Sequence, residues 1–427
     1  MKLRIEKCIY GGAGLARADG KAVFVPFTLP GELVEADIAG DHGRYANAEL
    51  IEIIEPSPAR ATAPCRYFGE CGGCHYQHAF YTEQLQIKRQ ILRETLERAH
   101  LPEIPEIGIL HGEPLHYRNR VRLHLDRTAS LPCYKKRSSH TNLPVDACPI
   151  AAPSLELALQ TLTVQAGTLQ LGQFFEEIEL STNGDESALL LSLWTRVDDK
   201  TAQAQLKKLW PLLQIQLPQV SGMAIFSVEQ GKHASLLLAR AGDASLTYQA
   251  AGEVYKVSIG SFFQVNRFLI DPLIKLVTEE ASGDIAWDLY AGVGLFARRL
   301  AAAFRQVIAV EAAPSSVADL RTNLTGDPHR VIASSTLEFL RRSQANQHPR
   351  PDFVVVDPPR AGLGKEVTAL LGQSRPTHIT YVSCDPATLS RDLKSLLDSG
   401  YQLQQIHMVD MFPQTFHLES VVRLSLS

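Results

Sequence analysis

The sequence predicts a multidomain chain: a small N-terminal β-barrel, a central α+β region and a C-terminal doubly wound α/β domain. Three observations carry that reading. Residues 1–58 are short apolar runs separated by Gly and Pro, the punctuation of a small barrel rather than half of a sandwich. Residues 112–255 mix strand-like and helix-like segments without a repeating order. From about residue 283 the pattern becomes strand, glycine loop, helix, strand, with the unbroken apolar strands of a sheet covered on both faces.

In the barrel segment the runs KLRIEKCIY, KAVFVPF, ELVEADIAG and YANAELIEIIE are separated by GGAG, ADGK, TLPGE and GDHG turns. PSPAR then links to a cysteine-rich stretch, Cys65 to Cys74. A helix is predicted over 80–100, with Leu85, Leu92 and Leu96 on one apolar stripe available to pack on the C-terminal part. Strands are predicted at YRNRVRLHLD, ALLLSLWTRV and VSGMAIFSV, with helices near 154–167 and 200–213. Domain boundaries are expected at 1–58, 59–255 and 256–427.

A length of 427 residues with 45% hydrophobic and 21% charged content suits two or three sizeable cores. No apolar leader opens the sequence and no apolar run reaches bilayer length, so a cytoplasmic location without a membrane partner is expected. Seven cysteines are too few, and odd in number, for a disulfide scaffold; metal ligands, nucleophiles or core fillers are the better readings. The net charge of −4 gives no global support to a nucleic-acid partner. Locally, residues 114–140 hold seven cations (Arg118, Arg120, Arg122, Arg127, Lys135, Lys136, Arg137) against Asp126 alone. Arg118, Arg120 and Arg122 alternate as on one strand face, which is either a solvated face or a phosphate-contacting stripe.

Three motifs carry chemistry in the C-terminal part. Asp288-Leu-Tyr290-Ala-Gly292-Val-Gly294 sets two glycines at a strand-to-helix turn, and Glu311 ends the next strand 19 residues after Gly292, placed to accept from ribose hydroxyls. The third glycine of a NAD fingerprint is absent, which favours S-adenosylmethionine (SAM). Asp357-Pro358-Pro359-Arg360 ends a later strand; amino-group methyltransferases carry an aromatic where Arg360 stands, which argues against exocyclic nitrogen chemistry. Cys384 ends an apolar strand ahead of a helix with Asp385 as N-cap and Pro386 as first residue. The helix terminus favours a thiolate while the Asp385 carboxylate opposes it, leaving the net shift open.

A thiol at a strand end is otherwise a small core hydrophobe. Asp410-Met-Phe-Pro-Gln-Thr-Phe-His417-Leu-Glu419 supplies the partner that favours chemistry. Methylation at a pyrimidine C5 needs a thiolate to add at C6 and a base to remove the C5 proton afterwards. Glu419 is the candidate base and His417 the weaker one. The competing readings are an amino-group or ribose methyltransferase, which needs no thiol, and a non-catalytic RNA-binding protein. Separately, Cys65, Cys71 and Cys74 with Cys148 offer four thiolates whose spacing suits zinc or an iron–sulfur cluster equally.

Taken in order, GGAGLAR, DGKAVFVP, TLPGE, CRYFGECGGCHYQH, YRNR, CPI, GSFFQVN, DLYAGVG, VVDPPRAGL, YVSCDPATLSRDL and DMFPQTFHLE closely resemble the RNA uracil-5-methyltransferase family. The likeness is to the iron–sulfur type with an N-terminal TRAM domain and covers nearly the whole chain. It implies a [4Fe-4S] cluster on Cys65, Cys71, Cys74 and Cys148, of structural role. It implies SAM contacts from Gln264, Tyr290, Glu311 and Asp357 alongside Gly292 and Gly294, the nucleophile at Cys384 and the base at Glu419. An RNA substrate follows, 23S rRNA first and tRNA second, its uridine flipped out of the stack. RNA contacts are expected from Arg118, Arg120, Arg122, Lys135, Lys136 and Arg137, and a monomer is expected. The chain departs from relatives at Leu131-Pro132-Cys133-Tyr134, where they read Gly-Phe-Tyr, and at Leu295, where many carry Asn.

Overall fold

The computed structural model describes residues 1–101, 103–228, 235–345 and 348–427. The first six strands, Lys2–Arg4, Lys7–Cys8, Ala13–Ala18, Lys21–Pro26, Leu33–Asp41 and Tyr45–Glu55, form one sheet. Its first two strands are halves of a single N-terminal run. Lys2–Arg4 pairs with Leu33–Asp41, while Lys7–Cys8 pairs with Ala13–Ala18 at the opposite end of the strand order. That split closes the sheet into a barrel around Leu3, Ile5, Val23, Val25 and Val34. Gly14 is required there: a Cβ would lie 2.2 Å from Thr28 Oγ1 and 2.8 Å from Ile5 Cγ2.

The central sheet has seven strands, including Arg120–Leu125, Glu177–Thr182, Leu189–Thr195 and Val220–Ser227. It is antiparallel except where Leu189–Thr195 runs parallel to Val220–Ser227. The crossover between those two is the helix Asp199–Gln216, capped by Asp198, whose carboxylate accepts from Thr201 N at 2.8 Å. This helix and Pro153–Val164 bury leucines against one sheet face.

Eight strands make the C-terminal sheet, in the order Arg330–Ala333, Phe304–Glu311, Gly283–Leu289, Phe353–Val356, His378–Ser383, Glu419–Leu426, Tyr401–Val409 and Ile107–Leu110. The first five are parallel. Helices Ile270–Thr278, Leu295–Leu300 and Pro314–Asn323 cover one face. Thr336–Gln344, Gly364–Ser374 and Pro386–Asp398 cover the other, joined there by the helix Tyr81–Arg98 through Leu85, Leu92 and Leu96. Three pieces of the stretch 59–255 thus pack with the C-terminal sheet rather than the central one: that helix, the edge strand Ile107–Leu110, and the strand Ser245–Ala250, whose Leu246, Tyr248 and Ala250 join its core. Among the described residues no helix is long and apolar enough to cross a membrane.

Glu419–Leu426 runs antiparallel to His378–Ser383, with Ser383 opposite Ser420. Continuing that register outward brings Cys384 and Glu419 to the same edge, where the parallel strands end. The edge lies at the strand-order switch beside Gly283–Leu289, the position at which doubly wound sheets bind ligands.

Candidate active site

A cavity of about 570 Å³ opens at this edge. Gln264, Tyr290, Gly292, Glu311, Asp357, Cys384, His417 and Glu419 all line it. Gly294 does not. Its φ is 92°, and a Cβ there would meet Leu320 Cδ1 at 2.7 Å, so it serves close packing of the following helix.

The glycine loop is held by two carboxylates. Asp288 Oδ2 accepts from Ala297 N at 2.7 Å, pinning the first turn of Leu295–Leu300 beneath the loop. Glu311 accepts from Gly292 N at 2.9 Å and, with its other oxygen, from Ala312 N at 2.7 Å and Ala313 N at 2.6 Å. These bonds fix the acid at the cavity wall. Tyr290 takes a φ of 65°, a conformation that a bulky residue adopts only when its surroundings impose it. Burial, with help from Asp357 and Glu311, pushes Asp288 up to about 8.

The deeper end is a cluster of acids around a thiol. Burial pushes Asp357 up to about 7, and burial plus the charge of Asp357 holds Glu419 well above the carboxylate range. Burial, then Glu419 and Asp357, push the Cys384 thiol up to about 11 against a smaller opposing pull from Arg360. Burial and those two carboxylates, rather than Asp385, favour the protonated thiol. Asp385 turns its carboxylate onto Ala387 N and Thr388 N, at 3.0 and 2.8 Å, and so consumes the helix N-terminal donors itself. Burial lowers His417 to about 4, leaving it neutral, and it packs against Phe412 and Phe416.

Sequence reasoning passed over several neighbours. Phe262 lines the mouth at 65% exposure and Phe412 lines the wall; the doubled aromatic of Gly260-Ser-Phe-Phe was the available signal for the first. Tyr10, from the first turn of the barrel, sets its ring edge-on to Phe416 at 5.3 Å with its hydroxyl 3.5 Å from the Cys384 carbonyl. No local pattern announces a contact across 374 residues.

The basic residues do not form the expected stripe. Arg118 lies outside the strand Arg120–Leu125, in isolated bridges to Ala151 and Asn266. Arg120 pairs with Glu179 at 3.7 Å and Arg122 with Glu177 at 2.5 Å, acids on the adjoining strand Glu177–Thr182. Arg122 also lies over the Trp194 ring at 3.9 Å. Cross-strand neutralisation, which single-strand alternation does not reveal, leaves little free charge for phosphates there. Lys136 pairs with Glu70 at 3.3 Å, Lys135 donates to Asn142 Oδ1 at 2.6 Å, and Arg137 covers the Phe27 ring.

Cys65, Cys71, Cys74 and Cys148 line a second cavity of about 210 Å³. Among the described residues no three His, Cys, Asp or Glu side chains converge as ligands of a single ion would. Ligands of one zinc ion sit on a sphere of about 2.3 Å, whereas a four-iron cube spreads its four thiolates more widely. Four thiols around one cavity offer the donors that either group would take. Burial pushes Cys71 up to about 11 and Cys74 to about 12, so a bound metal must displace their protons.

A glycine loop and an acid facing a crevice at the strand-order switch define a nucleotide-cofactor enzyme of the doubly wound class. The profile of the tRNA (Uracil-5-)-methyltransferase family matches residues 80–426, and that of the TRAM domain matches residues 2–51. An RNA methyltransferase of Aquifex aeolicus is 32% identical, covering 100% of this chain and 98% of its own. The 23S rRNA (uracil(1939)-C(5))-methyltransferase RlmD of Shewanella amazonensis is 30% identical over 99% of this chain and 95% of its own. The Pyrococcus abyssi tRNA (uracil-54, C5)-methyltransferase, solved with S-adenosyl-L-homocysteine, superposes with a TM-score of 0.76 at 21% identity, covering 99% of this chain and 100% of that one. The chain belongs to the SAM-dependent RNA uracil-5-methyltransferase family.

Proposed function

We propose that the protein methylates C5 of a uridine in 23S rRNA through a transient bond between Cys384 and C6 of the base. The observation that carries this reading is the convergence of Cys384, Glu419 and Asp357 on the cavity whose other end is the glycine loop. The Cys384 thiol first loses its proton, for which Asp357 beside it is the available acceptor, leaving Glu419 free for the later proton from C5. Its sulfur then adds to C6, and the electron pair of the C5–C6 double bond moves onto C5 and the O4 carbonyl. Gln264, Tyr290, Glu311 and Asp357 line the end of the cavity that would hold SAM, which would supply an electrophilic methyl to C5 and depart as S-adenosylhomocysteine. Glu419 removes the proton from C5, the C5–C6 double bond re-forms, and Cys384 leaves as thiolate. A carboxylate held above its ordinary range is better matched to that proton than a free one. Phe262 at the mouth offers a face on which an unstacked base can lie.

Full-length coverage of the RlmD relative favours 23S rRNA. The likeness to the Pyrococcus abyssi enzyme keeps tRNA as the second reading, with the same chemistry. The barrel at 1–58 is read as an added RNA surface, and the four-cysteine cavity as the seat of a [4Fe-4S] cluster that ties Cys65–Cys74 to Cys148. The experiment is a pair of variants. Cys384→Ala should lose methylation and trapping by 5-fluorouridine RNA while still binding SAM in calorimetry. Glu419→Gln should accumulate the covalent RNA adduct on denaturing gels. Methylation retained in Cys384→Ala removes the mechanism, and nucleoside mapping of rRNA and tRNA from cells lacking the protein decides the substrate.

A further inference from the structure

Arg118 was read in the sequence as a phosphate contact, yet the fold turns it inward. It lines the four-cysteine cavity, and its Nε is sealed from solvent with no hydrogen-bond partner among the described residues. A guanidinium is charged at every physiological pH, and a donor of it sealed from solvent without a partner is costly. The fold nevertheless holds it rigidly in place. Arg118 N donates to Ile150 O at 2.9 Å, and Arg118 O accepts from Ala152 N at 2.9 Å, so its backbone is laced to the segment that carries Cys148. On the same wall Tyr134 lies with its hydroxyl 3.7 Å from Cys148 Sγ, donating toward the sulfur.

We infer that Arg118 is the counter-cation of an anionic metal–thiolate group in this cavity, with Tyr134 as the hydrogen-bond donor to its Cys148 sulfur. The inference rests on the metal reading proposed above. An oxidised [4Fe-4S] cluster on four thiolates and a zinc ion on four thiolates both carry two net negative charges. Either one answers a guanidinium whose Nε has no partner among the described residues. Charge and hydrogen bonds around the sulfurs tune the reduction potential of a cluster. Removing a positive charge beside it makes reduction harder, so the potential must fall. The potential serves here as a reading of the local field and implies no electron-transfer role.

The test uses the full chain purified anaerobically, as wild type, Arg118→Met, Arg118→Lys and Tyr134→Phe. Iron, sulfide and zinc are assayed, and the midpoint potential is followed by visible absorption and electron paramagnetic resonance. Arg118→Met should lower the potential enough to change the reduced-to-oxidised ratio at least tenfold, which is 59 mV for one electron. Arg118→Lys should recover most of that shift, and Tyr134→Phe should give a smaller fall in the same direction. Should Arg118→Met fail to fold, the lysine and phenylalanine variants carry the test. An unchanged potential in Arg118→Met overturns the inference, as does a variant whose sole defect is a raised KM for RNA. Colourless wild-type protein holding zinc would reject the cluster while leaving Arg118 testable. In that case Arg118→Met must release zinc to a chelator at least tenfold faster, and an equal rate overturns the inference. Wild-type protein with neither metal overturns both.

Discussion

Lys88 and Asp410 are fully buried and 2.6 Å apart, joining the helix Tyr81–Arg98 to the segment that leads into Glu419. Lys88 Nζ also donates to Phe412 O at 3.0 Å. Around this pair Gln84 and Gln414 bond reciprocally, and the Gln414 carbonyl accepts from His75 N and Tyr76 N. Lys88→Met keeps the volume and removes the charge, stranding Asp410 in a site closed to solvent. Breaking one side of a buried pair costs about 3–5 kcal/mol, whereas replacing both partners by apolar groups is often neutral. At about 1.36 kcal/mol per tenfold, the opened fraction of this segment should rise by roughly two to four powers of ten. Amide hydrogen exchange at His75, Tyr76 and Gln414 reads that fraction directly. Lys88→Met/Asp410→Leu should restore most of the protection. Exchange within threefold of wild type in the single variant, or a double variant no better protected than the single, would refute the reasoning.

Two further outcomes are expected. Burial lowers His78 and His417 to about 4, so below the ordinary histidine value of 6.5 the unfolded chain binds protons that the folded one refuses. The stability these histidines contribute should be fully present above pH 6.5 and be lost as pH falls toward 4, opposed over the same range by the raised Asp288, Asp357 and Glu419, which bind protons more readily in the folded chain. The difference in denaturant midpoints between wild type and His78→Phe isolates one histidine, with a slope of up to one proton, and an unaltered slope would contradict the assignment. Gly294→Ala adds a Cβ 2.7 Å from Leu320 Cδ1 at a φ of 92°, whereas Gly292→Ala meets nothing within 4 Å at a φ of 55°. Thermal unfolding of the unliganded protein should therefore show a larger loss of stability for the Gly294 variant, and equal losses would show that helix packing does not set the loop.

Much of the site was legible before any fold was known, because its signals are local. Asp385 caps its helix and Pro386 opens it as the cap chemistry requires. The apolar strands feeding Asp288, Asp357 and Cys384 needed only continuous hydrophobicity to be recognised. The arginine alternation was also local, but its ion pairs were not legible, since Glu177 and Glu179 reach Arg122 and Arg120 from a strand more than fifty residues away.

By itself the sequence determined the kinds of elements and the chemistry at their ends, since periodicity, capping and turn residues act over a few positions. Tertiary structure alone decided that Ile107–Leu110 closes the catalytic sheet, that an antiparallel return sets Glu419 beside Cys384, and that Arg118 faces thiols. It also set the protonation of the acids and the thiol. Strand register and loss of solvent are properties of segments brought together from distant parts of the chain, and neither exists until they meet.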